Sequence, residues 1–451
     1  MIDGGTPRLY LCKQKKGQMR RLLLLEIVFL FSVCAVAQET REAATLRFEE
    51  EKGLTMGGYG EAVYSVNLYS DSPYRYMFPS RYADAPAHGR FDLPHVVFML
   101  GYNFGKGWSM GTEIEFEHGG VEASIEVEGD EAVELEHEIE RGGEVFLEQF
   151  WIQKSFRKWA NIRAGMIIVP VGLTNSRHEP DKFFTVYRQE GESTILPCTW
   201  HQIGVSFRGE YGNWKYEAQI LPGLNSRFFN NSNWIAGGSA SPYEYTVANS
   251  LAIAFRIDNY SIKNLHLGLS GYAGGTDNDA YPRLVNSSGK VSSSVKGTVA
   301  ILALDAEYKN SHVIARANAD YGYLANASEI GTSNKNSDNS TFSPYSHTLV
   351  GQNAYAAGAE AGLDILSFGS KPSDMKLWIF GRYEAYNSYI PAKDMQDYKW
   401  AAKQRVVAGL NFSPVKGVIL KAEYGYRFLA KQYNNEPSIS IGVTYAGMFK
   451  R

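Results

Sequence analysis

The sequence of 451 residues predicts an all-β fold, a transmembrane antiparallel β-barrel of about sixteen strands. Three observations support this prediction. Apolar and polar residues alternate in segments along most of the chain, short and long connections alternate between those segments, and the N-terminal region resembles an export signal. No apolar run after Ala37 reaches the roughly 18 residues of a transmembrane helix, so we expect strands to cross the membrane.

A signal peptide is predicted near the N terminus. Basic residues at 19–21 precede an apolar stretch at 22–33, and small residues at 35–37 form a cleavage site. Cys34 leaves a lipoprotein open as the alternative, although Val33 before it is larger than the residue usual in a lipid-attachment motif. The expected parts of the chain are an upstream segment from a misplaced start (1–18), the signal peptide (19–37), a periplasmic N-terminal segment (38–54) and the barrel (55–451).

The last strand shows the alternation most clearly. In residues 439–449 the odd positions are apolar or aromatic, apart from Gly447, and the even positions are mostly small or polar. A period of two gives a strand one apolar and one polar face. The same reasoning predicts strands at 55–68, 93–104, 108–117, 144–156, 161–168, 201–210, 214–221, 247–258, 264–273, 298–308, 311–323, 355–365, 375–386, 405–412, 418–428 and 439–449.

Charged residues on the polar faces indicate a water-filled interior. Arg316 and Glu360 lie in the middle of predicted strands, on the face that is opposite to the apolar face of the same strand. A soluble β-sandwich buries one face of each strand in a dry core, whereas a membrane barrel turns an apolar face outward and a polar face inward. The pattern therefore favours a barrel with a polar lumen.

The connections between strands have two lengths that alternate. Short turns such as 105–107 and 211–213 alternate with long polar segments, although 367–374 is a longer turn and 430–436 a shorter loop. Outer-membrane barrels combine short periplasmic turns with long extracellular loops. Both termini are therefore expected in the periplasm, and these long connections outside the cell: 71–90, 119–143, 170–200, 222–246, 275–297, 326–353 and 387–403.

Composition and motifs argue against several other functions. A formal net charge of -3 gives no basis for a nucleic-acid partner. Only Cys198 follows the predicted cleavage site, so no intrachain disulfide is expected. No Gly-x-Ser-x-Gly motif occurs, and the spacing of His178, Glu179 and His201 near Cys198 matches no zinc pattern. We therefore expect no enzyme activity, no metal site and no cofactor.

The third connection, residues 170–200, carries both aromatic and charged side chains. Phe183, Phe184 and Tyr187 are apolar groups that a fully solvated loop would not need. The lumen of a sixteen-stranded barrel is wide enough for water, and a segment folded into it would narrow the passage. The alternative is a cap over the outer mouth. Six basic residues are expected at the constriction. Four belong to this connection, namely Arg177, His178, Lys182 and Arg188, and two belong to the barrel wall, namely Arg163 and Arg316.

The second long connection, residues 119–143, is strongly acidic, and apolar residues separate its carboxylates. This pattern predicts a hairpin that rises above the membrane. A solvated face is one interpretation of its charge, and divalent cations that bridge it to lipopolysaccharide are the other.

Five motifs carry a family resemblance. They are Leu-Glu-Gln-Phe-Trp-Ile at 147–152, Arg-Ala-Gly-Met at 163–166, Val-Pro-Val-Gly at 169–172, His-Glu-Pro at 178–180 and Thr-Trp-His-Gln-Ile-Gly-Val at 199–205. Together they resemble the phosphate-selective porin O/P family of outer-membrane porins. The resemblance covers residues 55–210 and implies a sixteen-stranded barrel, usually trimeric, with its third loop folded inward.

In that family, phosphate specificity rests on a ladder of arginines and a lysine cluster. The candidate lumen residues of this chain instead carry both signs. The basic ones are Arg163, Arg208, Arg256, Arg316, Arg382 and Arg405, and the acidic ones are Glu113, Glu115, Glu148, Glu217, Asp305, Asp320, Glu360 and Asp364. The resemblance alone therefore does not predict phosphate selectivity.

The expected function is passive diffusion of small hydrophilic solutes or ions, with an anion or phosphate preference left open. The expected location is the outer membrane of a Gram-negative bacterium, where a homotrimer would contact lipid and lipopolysaccharide. Two alternatives remain: a channel specific for one oligosaccharide or anion, and a non-conducting barrel that serves as an adhesin or scaffold.

Overall fold

The structure is a computed structural model that describes residues 53–84, 88–118, 124–130, 134–140, 144–241, 244–276, 295–336, 346–369 and 375–450. The predicted upstream segment, signal peptide and most of the periplasmic segment lie outside these residues. Within the described ranges, no helix has the length and apolar character needed to cross a membrane.

A single antiparallel sheet of 17 strands closes on itself. The first strand, β1 (Gly53–Asn67), pairs with the last strand, β19 (Glu436–Lys450), on one side and with β3 (His95–Gly105) on the other. The short strand β2 (His88–Asp92) also pairs with β1 and leads into β3 across Pro94. The strands β2 and β3 therefore share one position in the wall. The wall is formed by β1 (Gly53–Asn67), β2 (His88–Asp92), β3 (His95–Gly105), β4 (Trp108–Glu117), β7 (Glu144–Arg157), β8 (Ala160–Ile168), β9 (His201–Tyr211), β10 (Trp214–Pro222), β11 (Leu251–Asn259), β12 (Leu265–Gly275), β13 (Thr298–Lys309), β14 (Val313–Leu324), β15 (Asn353–Asp364), β16 (Lys376–Ile390), β17 (Ala402–Val415), β18 (Val418–Phe428) and β19 (Glu436–Lys450).

The predicted sixteen-stranded antiparallel barrel is confirmed. The predicted and observed strands differ mainly in where they begin and end. β2 was not predicted, because its sequence His-Gly-Arg-Phe-Asp has one large apolar residue and no apolar–polar alternation, and the strand expected from residue 93 begins at His95. The strand expected from residue 247 begins at Leu251, and β16 extends to Ile390.

The two faces of the wall differ in chemistry. On β18, Leu420 is 45% exposed and Tyr424 48%, whereas Lys421 and Glu423 between them are buried. On β19, Ile439, Ile441 and Val443 point outward and Ser440 and Thr444 inward. An outer surface built from large apolar side chains is stable against lipid, since water would penalise so large an apolar area.

The connections largely alternate in length, although the connection 365–375 between β15 and β16 is as long as the connection 391–401 between β16 and β17. In the second long connection, β5 (Ser124–Asp130) and β6 (Glu134–Glu140) form a separate antiparallel hairpin, which agrees with the predicted hairpin. Its side chains lie outside the described part of the structure, and so does the proposed contact with lipopolysaccharide.

Helices are few and short. The third connection contains α1 (Leu173–Ser176) and α2 (Glu190–Ile195), and the connection after β14 contains α3 (Ala327–Lys335). Gly172 precedes α1 with φ 82°, and a Cβ at this position would collide with the Glu192 carboxylate. This close contact shows that the third connection folds back on itself.

Candidate functional site: the barrel lumen

The third connection contacts inward-facing residues from several sides of the barrel. The Gly172 amide donates to Ser270 Oγ on β12 (3.0 Å), and the Gly191 amide donates to Glu384 Oε1 on β16 (3.0 Å). The Val186 amide donates to Glu423 Oε2 on β18 (2.7 Å). Because these wall residues face the interior, the third connection lies inside the barrel.

Lys421 holds the middle of the third connection. Its Nζ donates to the carbonyl oxygens of Pro180 (2.7 Å), Phe183 (3.1 Å) and Thr185 (2.8 Å). The same Nζ lies 4.3 Å from the centroid of the Phe183 ring. One buried ammonium therefore satisfies three main-chain acceptors that would otherwise lack partners.

Phe184 is the apolar anchor of the same segment. Its ring stacks on Phe380 with centroids 5.4 Å apart and also meets Trp378 at 5.5 Å. Asn411 Nδ2 donates to the Phe184 carbonyl (2.9 Å), and the Arg316 guanidinium carbon lies 5.4 Å from the ring centroid. The aromatic residues of the third connection thus pack against the wall.

Charged side chains form a continuous network along β13 to β19, which we call the arginine–glutamate chain. Each arginine in it lies within 4.0 Å of at least one carboxylate. Its successive contacts are Arg177–Glu307 (2.8 Å), Glu307–Arg316 (2.6 Å), Arg316–Glu360 (2.6 Å), Glu360–Arg382 (3.4 Å), Arg382–Glu384 (3.0 Å), Glu384–Arg405 (4.0 Å), Arg405–Glu190 (3.3 Å), Glu190–Arg427 (2.7 Å), Arg427–Glu436 and Glu436–Arg75 (2.7 Å).

Strand register explains this network. Arg316 lies directly opposite Glu307 on one side and Glu360 on the other, and Glu360 in turn lies opposite Arg382. Opposite charges at directly facing positions attract, whereas like charges at such positions repel. Arg405 and Arg427 do face each other, and Glu190 of the third connection bonds to both. Glu190 therefore bridges two arginines that each also contact a carboxylate of the wall.

The two carboxylates of α2 have opposite electrostatic surroundings. Burial disfavours ionisation of Glu190, but Arg427 and Arg405 outweigh it and hold its pKa below the usual range. For Glu192, burial is the largest effect and raises the pKa to about 7. The backbone amides of Thr174 (2.8 Å) and Leu173 (3.2 Å) donate to its carboxylate and lower the pKa, but by less. Glu192 thereby caps α1, which has no cap of its own.

The opposite side of the lumen is acidic. Glu61 on β1, Glu113, Glu115 and Glu117 on β4, and Glu148 on β7 form what we call the acidic wall. Within it, His95 Nδ1 bonds to Glu115 Oε1 (2.6 Å), and His178 of the third connection approaches Glu148 (3.5 Å) and Glu113 (4.0 Å). Carboxylates here outnumber the basic groups beside them.

The six basic residues expected at the constriction do not form one group. Arg177 and Arg316 meet through Glu307, and the Arg188 Nε donates to the His178 carbonyl (3.3 Å). Lys182 pairs with the neighbouring Asp181 (2.7 Å). Arg163 lies apart on β8, donates to Gln153 (3.0 Å) and stacks 3.7 Å from the Trp151 ring centroid.

Local sequence patterns assign no role to Lys421, Arg427, Glu190 or Glu436, which hold the third connection or complete the charge network. The available signal was weak: Lys421 and Arg427 are charges on the polar face of a strand. Their partners lie far away in sequence, so spacing could not identify them.

Comparisons with known proteins agree with the fold. The barrel is similar to the anion-selective porin from Comamonas acidovorans, with a TM-score of 0.50, 8% identity, and coverage of 88% of this chain and 100% of that one. A loop L8 deletion mutant of OmpT, an outer membrane protein of Vibrio cholerae, gives a TM-score of 0.49 at 10% identity, with coverage of 88% and 100%.

In sequence, the chain is similar to an uncharacterized protein of Aquifex aeolicus (strain VF5). The two are 27% identical over 395 residues, which are 85% of this chain and 77% of that protein. No protein-family model matches the chain. The likeness to the Comamonas acidovorans porin therefore supports the barrel fold and assigns no solute to this chain.

Proposed function

We propose that the protein is an outer-membrane porin through which small hydrophilic solutes and ions diffuse passively. The observation that carries this proposal is a closed barrel with an apolar outer face and a lumen lined by charged residues. Such a wall is suited to lipid on one side and water on the other. The likeness to a solved porin supports the same interpretation.

The third connection sets the width of the passage in this proposal. It lies across the lumen and is held by Lys421, Glu384 and Glu423 of the wall. The residues proposed to meet passing solutes are Arg177, His178, Lys182, Arg188, Arg163 and Arg316.

The selectivity that we propose is weak. A filter for phosphate needs basic groups that are free to bind an anion, whereas the arginines of the arginine–glutamate chain already contact carboxylates. Alternating charges also cancel at a distance, so the net potential along that wall is small. An anion or phosphate channel is the second candidate, supported by the number of arginines on one side of the lumen and by the family resemblance.

Single-channel recording in planar bilayers tests the proposal. Purified, refolded protein should give discrete conductance steps in KCl, and liposomes that contain it should swell in small sugars faster than in large ones. A general porin keeps its KCl conductance when phosphate is added, whereas a phosphate channel loses it at low phosphate concentration. Folded protein without any conductance would favour the adhesin or scaffold alternative.

A homotrimer is also proposed, on the basis of the family resemblance. Chemical cross-linking of the protein in native outer membranes should trap a species three times the mass of the chain. A monomer under the same conditions would contradict this part of the proposal.

A further inference from the structure

Three metal-binding side chains meet where the third connection crosses the acidic wall. Glu113 comes from β4, Glu148 from β7 and His178 from the third connection, and all three are buried. His178 Nε2 lies 3.5 Å from Glu148 Oε1 and 4.0 Å from Glu113 Oε2. The candidate ligand atoms all lie within 4.8 Å of one another.

These atoms are only loosely paired with one another. Glu148 is 0% exposed, and its Oε1 is buried without a hydrogen-bond partner, with His178 Nε2 as an ion-pair contact 3.5 Å away. A buried carboxylate oxygen in that state is costly unless a cation reaches it. The neighbouring group of His95, Glu115 and Glu117 differs, because its His95 Nδ1 bonds directly to Glu115 at 2.6 Å.

Each of the three side chains is oriented by a further hydrogen bond. His178 Nδ1 lies 3.1 Å from the Asn175 carbonyl, which can only accept, so Nδ1 carries a hydrogen and Nε2 is the ring nitrogen that faces the carboxylates. Tyr59 donates to Glu148 Oε2 (3.3 Å), and Gln149 Nε2 donates to Glu113 Oε2 (2.7 Å). Supporting bonds of this kind are typical of metal-binding histidines and carboxylates.

Arg188 lies near the group, and its hydrogen bonds go to other partners. Its Nε and Nη1 bond to the His178 carbonyl and to Cys198 Sγ, and its Nη2 is buried without a hydrogen-bond partner. The carboxylates of Glu113 and Glu148 therefore stay available to a cation.

We propose that Glu113, Glu148 and His178 bind a divalent transition-metal cation of the Zn²⁺ class. Bonds of about 2.1 Å in tetrahedral geometry place ligand atoms about 3.4 Å apart. The separations of 3.5 and 4.0 Å need only small side-chain adjustments to reach that arrangement. One imidazole nitrogen with two carboxylate oxygens suits zinc better than calcium or magnesium, which prefer oxygen ligands alone.

The bound cation would link the third connection to β4 and β7. The contacts described above attach this connection to β12, β16 and β18, on the other side of the lumen. The metal would therefore act as a clamp that completes its attachment. Because a ligand that binds only the folded state stabilises that state, zinc should also raise the resistance of the barrel to unfolding.

Metal binding can be measured directly on tag-free, refolded protein after dialysis against EDTA. We expect about one Zn²⁺ per chain by elemental analysis and calorimetry, and visible absorption bands of four-coordinate Co²⁺ that zinc abolishes. His178→Asn and Glu148→Gln should each weaken zinc binding by more than about tenfold, and Tyr59→Phe by about tenfold.

Two controls separate this site from nonspecific binding. His312→Gln removes a histidine that bonds to Ser367, and Glu217→Gln removes a half-buried wall carboxylate that bonds to Ser206; both should bind zinc like the parent. Heat-modifiable migration in SDS gels shows which variants have folded. The proposal is overturned if folded parent protein binds no zinc, if its Co²⁺ spectrum is octahedral and unaffected by zinc, or if the controls lose as much affinity as His178→Asn.

Discussion

The two sides of the lumen stabilise inward-facing charge in different ways. Along β13 to β19, strand register places most arginines opposite carboxylates, and Glu190 of the third connection bridges the one pair of facing arginines. On the acidic wall, strand register places no arginine opposite Glu61, Glu113 or Glu148, and buried oxygens of Glu61 and Glu148 lack hydrogen-bond partners. Inward-facing residues of the same barrel thus form, on one side, a network whose charges neutralise one another and, on the other side, a site that attracts cations.

The largest expected effect is the loss of one arginine from the paired side. Arg382, with a side chain 1% exposed, lies between Glu360 and Glu384, so Arg382→Met leaves both carboxylates buried and short of a partner. Breaking a buried pair in this way costs about 3–5 kcal/mol. Urea unfolding in lipid vesicles should show this loss.

A matched substitution on the acidic wall should behave differently. Glu61→Gln removes a buried carboxylate whose Oε2 has no hydrogen-bond partner, so unfolding free energy should stay unchanged or increase. Adding Glu360→Gln to Arg382→Met should recover part of the lost stability. If Arg382→Met and Glu61→Gln were equally harmful, the contrast between the two sides would be wrong.

The next effect concerns the anchor of the third connection. Lys421→Met leaves the carbonyl oxygens of Pro180, Phe183 and Thr185 without their donor. Bonds to charged groups contribute about 1.5–3 kcal/mol each, so we expect a loss of about that size after relaxation and a higher, noisier single-channel conductance. Lys416→Met, at an exposed turn, is the control and should change neither quantity.

A smaller effect should appear in the pH dependence of stability. The pKa of Glu192 is raised from 4.5 to about 7, mainly by burial, so the folded protein holds this proton more tightly than the unfolded chain. The resulting stabilisation is complete below pH 4.5 and is lost as pH rises through 7. Glu192→Gln cannot titrate and should lack this decline. Parallel stability curves for parent and variant between pH 5 and 8 would contradict the assignment.

The smallest expected effect is on ion preference. The Lys182 side chain is 29% exposed, against 10% for Arg177 and 6% for Arg316, and it is paired with Asp181. Lys182→Glu should move the reversal potential slightly towards cations, most clearly in dilute salt, where the Debye length is about 30 Å. Lys416→Glu should have no effect. A change in reversal potential as large as that of a fully selective channel would favour the second candidate function, an anion or phosphate channel.

Much of the barrel could be predicted from the sequence, since the relevant signals are local. The alternation on β18 assigned Leu420 to the outer face and Lys421 to the inner face, because successive side chains of any strand point to opposite sides. Connection lengths separated most turns from most loops, and the aromatic residues of the third connection marked it as a segment that packs rather than one that is solvated. The ends of strands were less accurate, as at Pro94 and Leu251.

The partners of the inward charges were decided only by the tertiary structure. Arg316 meets Glu307 and Glu360 through the register of three strands, and no local pattern fixes how far one strand is shifted against the next. Glu113, Glu148 and His178 lie far apart in the chain and meet only because the third connection folds inward, so their spacing resembled no metal motif. The sequence by itself determined which side chains face the lumen; closure of the barrel determined which of them meet, since contacts between distant residues depend on register and loop path.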